Sequence, residues 1–220
     1  MLKPLGIEPG KPFHPDARQK QILTDASVLG WAMSQAVSMA SRSKDAIYYP
    51  GTKWEFVLML DPSLRQEFWR DLEARTAYYW QATMAAPAMK IKDIGAGSQY
   101  LQSAHESSGD WLDGGKQYRL RVPANPPAKE FWSVTVYDYE TRSMIQTDTN
   151  IPAKSSADKL ITNGDGSIDL YFGPTAPAGK EANWVKTLPG RGWWVWFRFY
   201  GPTEPFFDKS WQLADFERVQ

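Results

Sequence analysis

Apolar residues recur at three- and four-residue intervals in two stretches of the chain, residues 15–42 and 61–84. Such spacing places the apolar side chains along one face of an α-helix. The apolar face of the first stretch consists of Ile22, Leu23, Ala26, Leu29, Met33, Ala36, Val37 and Ala40. Pro15 and Asp16 supply a start for the first stretch. Asp61 and Pro62 supply a cap and a first-turn proline for the second stretch. The pattern therefore predicts two helices, preceded by an arm over residues 1–14 that is rich in Pro and Gly.

Beyond Gly97 the pattern changes to short runs of alternating apolar and polar residues that are separated by turn residues. Strands are predicted over residues 117–122, 131–139, 144–148, 167–172 and 192–200. Earlier in the chain, residues 54–59 are either a strand or an extended packing segment. Because no helical pattern separates the later strands, the predicted fold is mainly β with N-terminal helices (α+β), an antiparallel jelly-roll-like β-sandwich capped by two helices. The predicted division is an arm and helical cap over 1–97 and the sandwich over 98–220.

The composition excludes several classes of function. The chain has 25 Lys and Arg against 25 Asp and Glu, so neither nucleic acid nor an anionic membrane is the expected partner. The lack of Cys excludes disulfides, a thiolate nucleophile and zinc sites of the Cys type. No apolar run has the length of a membrane span or of a signal peptide. We expect no cofactor and no metal, and the unusual feature that needs an explanation is the presence of 11 Trp residues.

Several long motifs carry a resemblance to a known family. They are YRLRVPANPPAK at 118–129, FWSV at 131–134, NGDGS at 163–167, YFGP at 171–174 and YGPTEPFFD at 200–208. Together they resemble the bacterial family called domain of unknown function 1214, densely over residues 98–219. The resemblance implies a jelly-roll-like sandwich in bacterial proteins that are often exported, although the chain shows no signal peptide. It also implies a further upstream domain, domain of unknown function 1254, and brings no established reaction or catalytic residues.

The segment with the most aromatic residues is residues 192–200, which contains three of the Trp residues. Strand alternation gives one face to Trp193, Val195, Phe197 and Phe199, which are typical of a core. The opposite face carries Trp194, Trp196, Arg198 and Tyr200. Flat rings with polar rims suit stacking against a sugar or an aromatic ligand. The alternative is that the two predicted helices cover this face and bury it.

A second candidate is an acidic residue beside the predicted strand over 131–139. Alternation places Asp138 on the same face as Trp132, Val134 and Val136, so a buried carboxylate there needs a partner. Arg198 is the predicted partner. The pair is more often a structural clamp than a catalytic one, and the prediction fails if the two side chains lie on opposite faces of the sheet.

Three further features have a chemical and a structural interpretation. Asp110 and Asp113 flank Trp111, and such carboxylates either act in acid–base catalysis or cap a turn. Residues 163–169 present oxygen ligands at alternate positions, which is compatible with Ca²⁺, but Asn-Gly and Asp-Gly are typical of a hairpin turn and favour that interpretation. His14 and His105 lie in an arm and a loop without a nucleophile motif.

Three hypotheses for the function follow from these residues. The first is a module that binds a small polar-aromatic or carbohydrate-like ligand in an aromatic cleft. The predicted lining residues are Trp194, Trp196, Arg198, Tyr200 and Asp138, with Trp111 as an additional contact. The second is a metal-independent hydrolase that uses Asp110, Asp113 or Asp138, with Arg198 stabilising charge. The third is a structural or assembly domain that associates with copies of itself or with an upstream domain.

Overall fold

Nine β-strands in the described part of the chain form two sheets, which pack face to face as a β-sandwich. The computed structural model describes residues 2–42, 46–56, 70, 72–82 and 92–219. The strands are β1 (Glu55–Phe56), β2 (Ser98–Ser103), β3 (Gln117–Val122), β4 (Ala128–Asp138), β5 (Ala153–Ser155), β6 (Ile168–Gly173), β7 (Trp184–Lys186), β8 (Trp193–Pro202) and β9 (Glu217–Val219). The α-helices are α1 (Ala17–Met39), α2 (Leu72–Ala82) and the short α3 (Glu204–Phe207).

The order of the strands is β1-β2-β8-β4-β5 in the five-stranded sheet and β7-β6-β3-β9 in the four-stranded sheet. Neighbouring strands are antiparallel throughout, except for β6 and β7, which run parallel. The two sheets and the helices before them confirm the predicted α+β sandwich. Strand β8 lies at the centre of the five-stranded sheet, between β2 and β4, and its alternating side chains therefore reach both the core and the outer face.

The strand predictions are confirmed for β3, β4, β6 and β8 and are wrong for residues 144–148. In that segment Met144 forms a single bridge to Tyr137. The edge of β4 is instead taken by β5, and the N–H of Val136 donates to the carbonyl of Pro152 at 2.8 Å. Strands β5, β7 and β9 escaped prediction because three residues are too few for an alternation to be visible.

Helix α1 begins where its sequence pattern predicts. Asp16 is the N-cap, and its Oδ1 accepts a hydrogen bond from the backbone N–H of Gln19 at 2.7 Å. The side chain of Gln19 accepts in return from the N–H of Asp16, which completes a capping box. Helix α2 coincides with the second half of the other predicted helix, whose start at Asp61 lies outside the described residues.

The core between the sheets includes aromatic residues from the segment ahead of β1. Trp54 is fully buried, and its ring packs against Phe197 of β8 and against Phe216. Its indole N–H donates to the carbonyl of Ala214 at 2.8 Å. Tyr49 is also fully buried in this cluster. Residues 46–56 are thus tied into the sandwich by a large ring and by strand β1.

The helix pair lies on the outer face of the five-stranded sheet. Met39 at the end of α1 and Trp80 of α2 pack with Trp194 and Ala104 in a second buried cluster. The covering is local, because this cluster involves the end of α1 rather than the whole helix. The helical cap of the prediction is therefore confirmed at the Trp194 end of the sheet.

Most of helix α1 does not bury the apolar face that its sequence pattern defines. Ile22, Leu29 and Met33 are 45%, 61% and 58% exposed, because the sheet is in contact with the last turns of the helix and not with the earlier ones. None of the helices in the described part of the chain combines the length and the apolar character that a membrane span requires.

The Asn-Gly-Asp-Gly segment forms a tight turn that leads into β6. The N–H of Gly166 donates to the carbonyl of Asn163 at 3.0 Å, and Oδ1 of Asp165 accepts from the N–H of Ser167 at 2.9 Å. The N–H of Asn163 also donates to the carbonyl of Ser167 at 2.8 Å, so the chain reverses here as in a hairpin turn, and the strand that follows, β6, pairs with β3 and β7. The oxygen atoms of the turn accept hydrogen bonds from the chain itself, as expected for the structural interpretation.

The buried Asp169 of β6 is held by Arg121 of β3 in a two-point ion pair. Nε and Nη2 of Arg121 lie 2.9 Å and 3.1 Å from the two carboxylate oxygens, and the side-chain amide of Asn163 donates to Oδ2. Hydrogen bonding to Arg121 is the largest cause that holds the pKa of Asp169 below its ordinary value of 3.8. The ionised carboxylate therefore stabilises the folded state.

We expect Asp169→Asn to lower the free energy of unfolding by about 1–2 kcal/mol at neutral pH. Because the folded-state pKa is depressed, this stabilisation is complete above pH 3.8 and is lost as the pH falls through the folded-state pKa. Urea unfolding of both proteins along a pH series measures the difference, which should vanish in acid. The exposed Asp110→Asn is the control, with an expected change below about 0.5 kcal/mol at every pH. A difference for Asp169→Asn that persists in acid would contradict this account.

Candidate functional site

A row of aromatic side chains follows the outer face of the five-stranded sheet on β2, β4 and β8. The strand register places Tyr100 and Ser133 on either side of Arg198, and it places Gln102 and Thr135 on either side of Trp196. Cross-strand neighbours point to the same side of a sheet, so these residues share one surface. We call this surface the aromatic face and define it by Tyr100, Phe131, Tyr137, Trp196, Arg198 and Tyr200.

The guanidinium group of Arg198 is the chemical centre of the aromatic face. Its Nη1 donates to Oγ1 of Thr135 at 2.8 Å, and its Nη2 donates to the hydroxyl of Tyr137 at 2.5 Å. Its Cζ lies 4.8 Å from the ring centroid of Trp196 and 5.7 Å from that of Tyr100. Within the described part of the chain it forms no ion pair with a carboxylate. A partly buried cation is thus held in a fixed position by hydroxyl groups and rings alone.

The rings of the aromatic face pack at its two ends in different ways. Phe131 and Tyr200 are stacked at one end, with their ring centroids 4.0 Å apart, and Phe131 is 37% exposed. At the other end Trp194 stacks on Tyr137 and is only 1% exposed, because the helix pair covers it. Trp196 lies between these ends and is partly exposed. The two sequence interpretations of this strand therefore apply to different residues: Trp194 is buried, while Trp196, Arg198 and Tyr200 keep access to solvent.

A polar network borders the aromatic face on the side of the helices. The side-chain amide of Gln102 donates to Oε2 of Glu55 at 2.7 Å and to the carbonyl of Ser38 at 2.8 Å. Gln81 of α2 donates to Oε1 of Gln102 at 2.6 Å. Burial raises the pKa of Glu55 above its ordinary value, and the hydrogen bond from Gln102 opposes that rise. The network ties both helices to β1 and β2 and so fixes one edge of the face.

Glu55 is a residue of this region that sequence reasoning did not single out. It is the charged residue within the run Trp-Glu-Phe-Val at 54–57, and strand β1 places it beside Gln102. A single carboxylate inside an apolar run was the available signal. Its side-chain partner Gln102 lies on β2, and the pairing of β1 with β2 brings the two together.

The predicted pair of Asp138 and Arg198 is wrong. Arg198 bonds to Thr135 and Tyr137, whereas Asp138 follows Tyr137 and points to the opposite face of β4. Oδ1 of Asp138 accepts hydrogen bonds from the backbone N–H of Glu140 and of Thr141, at 3.0 Å and 2.8 Å. Its second oxygen lies 3.5 Å from Nη1 of Arg191. Asp138 therefore holds the turn after β4 and is not part of the aromatic face.

The remaining candidates lie in the loop between β2 and β3. Trp111 is 47% exposed, and its ring centroid is 4.1 Å from that of His105 and 5.5 Å from that of Tyr139. Burial lowers the pKa of His105, and the nearby Lys53 lowers it further, so the imidazole is neutral at neutral pH. Tyr139 packs against the same buried cluster as Tyr137 and Trp196, so Trp111 and His105 lie beyond the Trp194 end of the aromatic face.

The two acidic candidates of this loop, Asp110 and Asp113, have different surroundings. Oδ1 of Asp113 accepts from the N–H of Gly115 at 2.8 Å, which is the turn-capping role of its structural interpretation. Asp110 is exposed. The partners of Asp113 and those of Asp138 are different, so the structure holds the two carboxylates at different turns.

Comparison with known proteins gives a family match over part of the chain and a similar fold. The model of the family described as protein of unknown function (DUF1214) matches residues 97–204. The crystal structure of the VPA0106 protein from Vibrio parahaemolyticus is similar with a TM-score of 0.53 and 20% identity, over 99% of this chain and 49% of that chain. A crystal structure of an uncharacterised protein from Burkholderia cenocepacia has a TM-score of 0.40 and 19% identity, over 99% of this chain and 47% of that one. No curated protein matches the chain.

The family match covers strands β2 to β8 of the sandwich, among them β2, β4 and β8, which carry the aromatic face. The chain spans about half the length of the solved structures that it matches. The likeness to the Vibrio parahaemolyticus protein supports a shared fold. The upstream partner domain implied by the resemblance stays a prediction.

Proposed function

We propose that the chain is a binding module that holds a small polar-aromatic or carbohydrate-like ligand against the aromatic face. The observation that carries the proposal is the guanidinium of Arg198, held between Thr135 and Tyr137 and flanked by rings. Aromatic walls with a few fixed polar groups are the usual composition of small-molecule sites. The partial exposure of Trp196 and Tyr200 leaves such a ligand a surface to contact.

A purely structural role explains the face less well. Burying a charged group without an opposite charge is costly, and no described carboxylate pairs with Arg198. A face selected only for packing would pair the charge of Arg198 with a carboxylate or replace it with an apolar side chain.

The hydrolase hypothesis has less support than the binding hypothesis. A hydrolytic site needs titratable groups that converge on one position. Asp113 and Asp138 bind to separate turns, and neither contacts the guanidinium of Arg198. The hypothesis of an assembly domain becomes the better one if the face binds no small molecule.

We expect a saturable change in tryptophan emission when glucose, phenol or benzoate is titrated into the protein, because Trp196 lies within the aromatic face. Tyr100→Ala removes one wall beside Trp196 and should weaken that binding about 3- to 10-fold, since an aromatic contact contributes about 0.5–1.5 kcal/mol. Fluorescence titration of both proteins gives the two dissociation constants.

The matched control is Tyr171→Ala. Tyr171 is also partly exposed, but it lies on β6 in the other sheet, so its removal should leave the affinity unchanged. If both variants weaken ligand binding equally, the ligand does not bind at the aromatic face. A flat response to all three probes would leave the assembly role as the better hypothesis.

A further inference from the structure

We infer that the ligand of the aromatic face carries a carboxylate group on a planar ring and that Arg198 anchors that carboxylate. The inference rests on the proposed function and narrows it from polar ligands in general to aromatic carboxylates. It depends on the free donors of Arg198, on the charge of the surface around it and on the rings beside it.

The guanidinium of Arg198 retains donors for a ligand. Arginine has five N–H donors, and the hydrogen bonds to Thr135 and Tyr137 use one on each terminal nitrogen. Three donors have no partner among the described residues, including the Nε–H group. A carboxylate matches two donors of an arginine in a two-point arrangement, and charge-assisted hydrogen bonds of this kind are stronger than neutral ones. The two protein contacts orient the group before a ligand arrives, which lowers the entropy cost of binding.

Among the described residues, the side chains that contact or flank Arg198 are neutral, so its charge is available to a ligand. Thr135, Tyr137, Tyr100 and Trp196 contact or flank it, and none of them is an acid. Ser133 lies opposite Arg198 on β4, and its hydroxyl makes no hydrogen bond within the described part of the chain. The serine therefore adds a neutral donor beside the guanidinium.

The charge and the shape of the face favour a carboxylate on a ring. Arg198 is the charged member of the aromatic face, and one positive charge matches the single negative charge of a carboxylate better than the roughly two charges of a phosphate monoester. A planar ring attached to the carboxylate meets Trp196 and Tyr100, whose centroids are 5.8 Å apart. A neutral sugar would use the rings but leave the charge of Arg198 without a counterion.

The test compares benzoate with benzamide, which has the same ring and nearly the same shape but no charge. We expect isothermal titration calorimetry to give at least tenfold tighter binding for benzoate. Arg198→Gln should weaken benzoate binding about 10- to 100-fold and leave benzamide binding unchanged, because it removes the charge-assisted bonds. Arg198→Lys keeps the charge but loses the two-point geometry, and it should give an intermediate loss.

The matched control is Arg142→Gln. Arg142 likewise has no carboxylate partner in the described part of the chain, and its Cζ lies 4.5 Å from the ring centroid of Trp80. It lies at the helix pair instead of on the aromatic face, so its loss should leave benzoate binding unchanged. In the wild-type protein, the Nε–H signal of Arg198 in an ¹⁵N–¹H spectrum should shift with benzoate and not with benzamide, which tests the anchor without a variant.

The outcomes separate this inference from the proposed function. Equal affinity for benzoate and benzamide, or benzoate binding that survives Arg198→Gln, would overturn the carboxylate inference and leave the binding module standing. If the protein binds glucose but not benzoate, the carboxylate inference is likewise wrong and the binding module stands. If glucose, phenol, benzoate and benzamide all fail to bind, the proposed function itself is wrong.

Discussion

Replacing Trp54 by alanine is expected to lower the free energy of unfolding by about 3–5 kcal/mol, the range for removing a large buried aromatic ring. The ring is fully buried between Phe197 and Phe216, and its N–H bonds to the carbonyl of Ala214. The substitution leaves both a cavity and an unpaired carbonyl. Urea unfolding followed by circular dichroism measures the change.

Trp111→Ala is the control for this prediction. Trp111 is 47% exposed, so the loss of the same indole group there should change the free energy of unfolding far less than at Trp54. A small effect at Trp54 would show that the segment ahead of β1 is dispensable for the sandwich. The expected large effect would show that residues 46–56 are needed for its core.

Gly114→Ala is expected to destabilise the fold by about 3 kcal/mol, or to prevent folding, because there is no room for a methyl group. A Cβ at this position would lie 2.1 Å from the carbonyl oxygen of Leu188 and 2.9 Å from that of Arg191. These are backbone atoms in a loop that Gly114 itself holds, through hydrogen bonds with Arg191 and Thr187. The clash therefore cannot be relieved by rotating a side chain.

The control for Gly114 is Gly164→Ala in the turn before β6. No atom lies within 4 Å of a Cβ built there, and the backbone is outside the left-handed region. We expect a change within about 0.5 kcal/mol of the wild type. Thermal unfolding of both variants measures the contrast. Similar melting temperatures for the two would contradict the steric argument.

The pattern of apolar and polar residues predicted the elements that are long enough to show it. The alternation in residues 117–122 and 192–200 corresponds to β3 and β8, and the capping residue Asp16 marks the start of α1. Short strands such as β5 and β7 are too short to show alternation, and they form because a longer neighbouring strand has an unpaired edge. That edge exists only in the folded molecule.

The burial of helix α1 could not be predicted from its pattern. Its apolar spacing indicated a buried face, but the sheet covers the helix near Met39 and leaves Leu29 exposed. Periodicity gives the direction of a helix face and contains no information on how far a neighbouring sheet extends. The same limit applies to Trp194 and Trp196. Alternation places both on the outer face of β8, but the helix pair buries Trp194 and leaves Trp196 partly exposed.

The candidate site shows the division between sequence and tertiary structure most clearly. Alternation alone determined that Trp196, Arg198 and Tyr200 share one face of a strand, because the side-chain period of a β-strand is two. Only the pairing of β8 with β4 and β2 decided that Thr135, Tyr137 and Tyr100 surround Arg198 and that Asp138 faces the other way. These contacts join residues about 60 to 100 positions apart, and their register is set by the packing of the whole sheet. The sequence by itself therefore determined which residues are available on the strand, and the tertiary structure determined which of them meet.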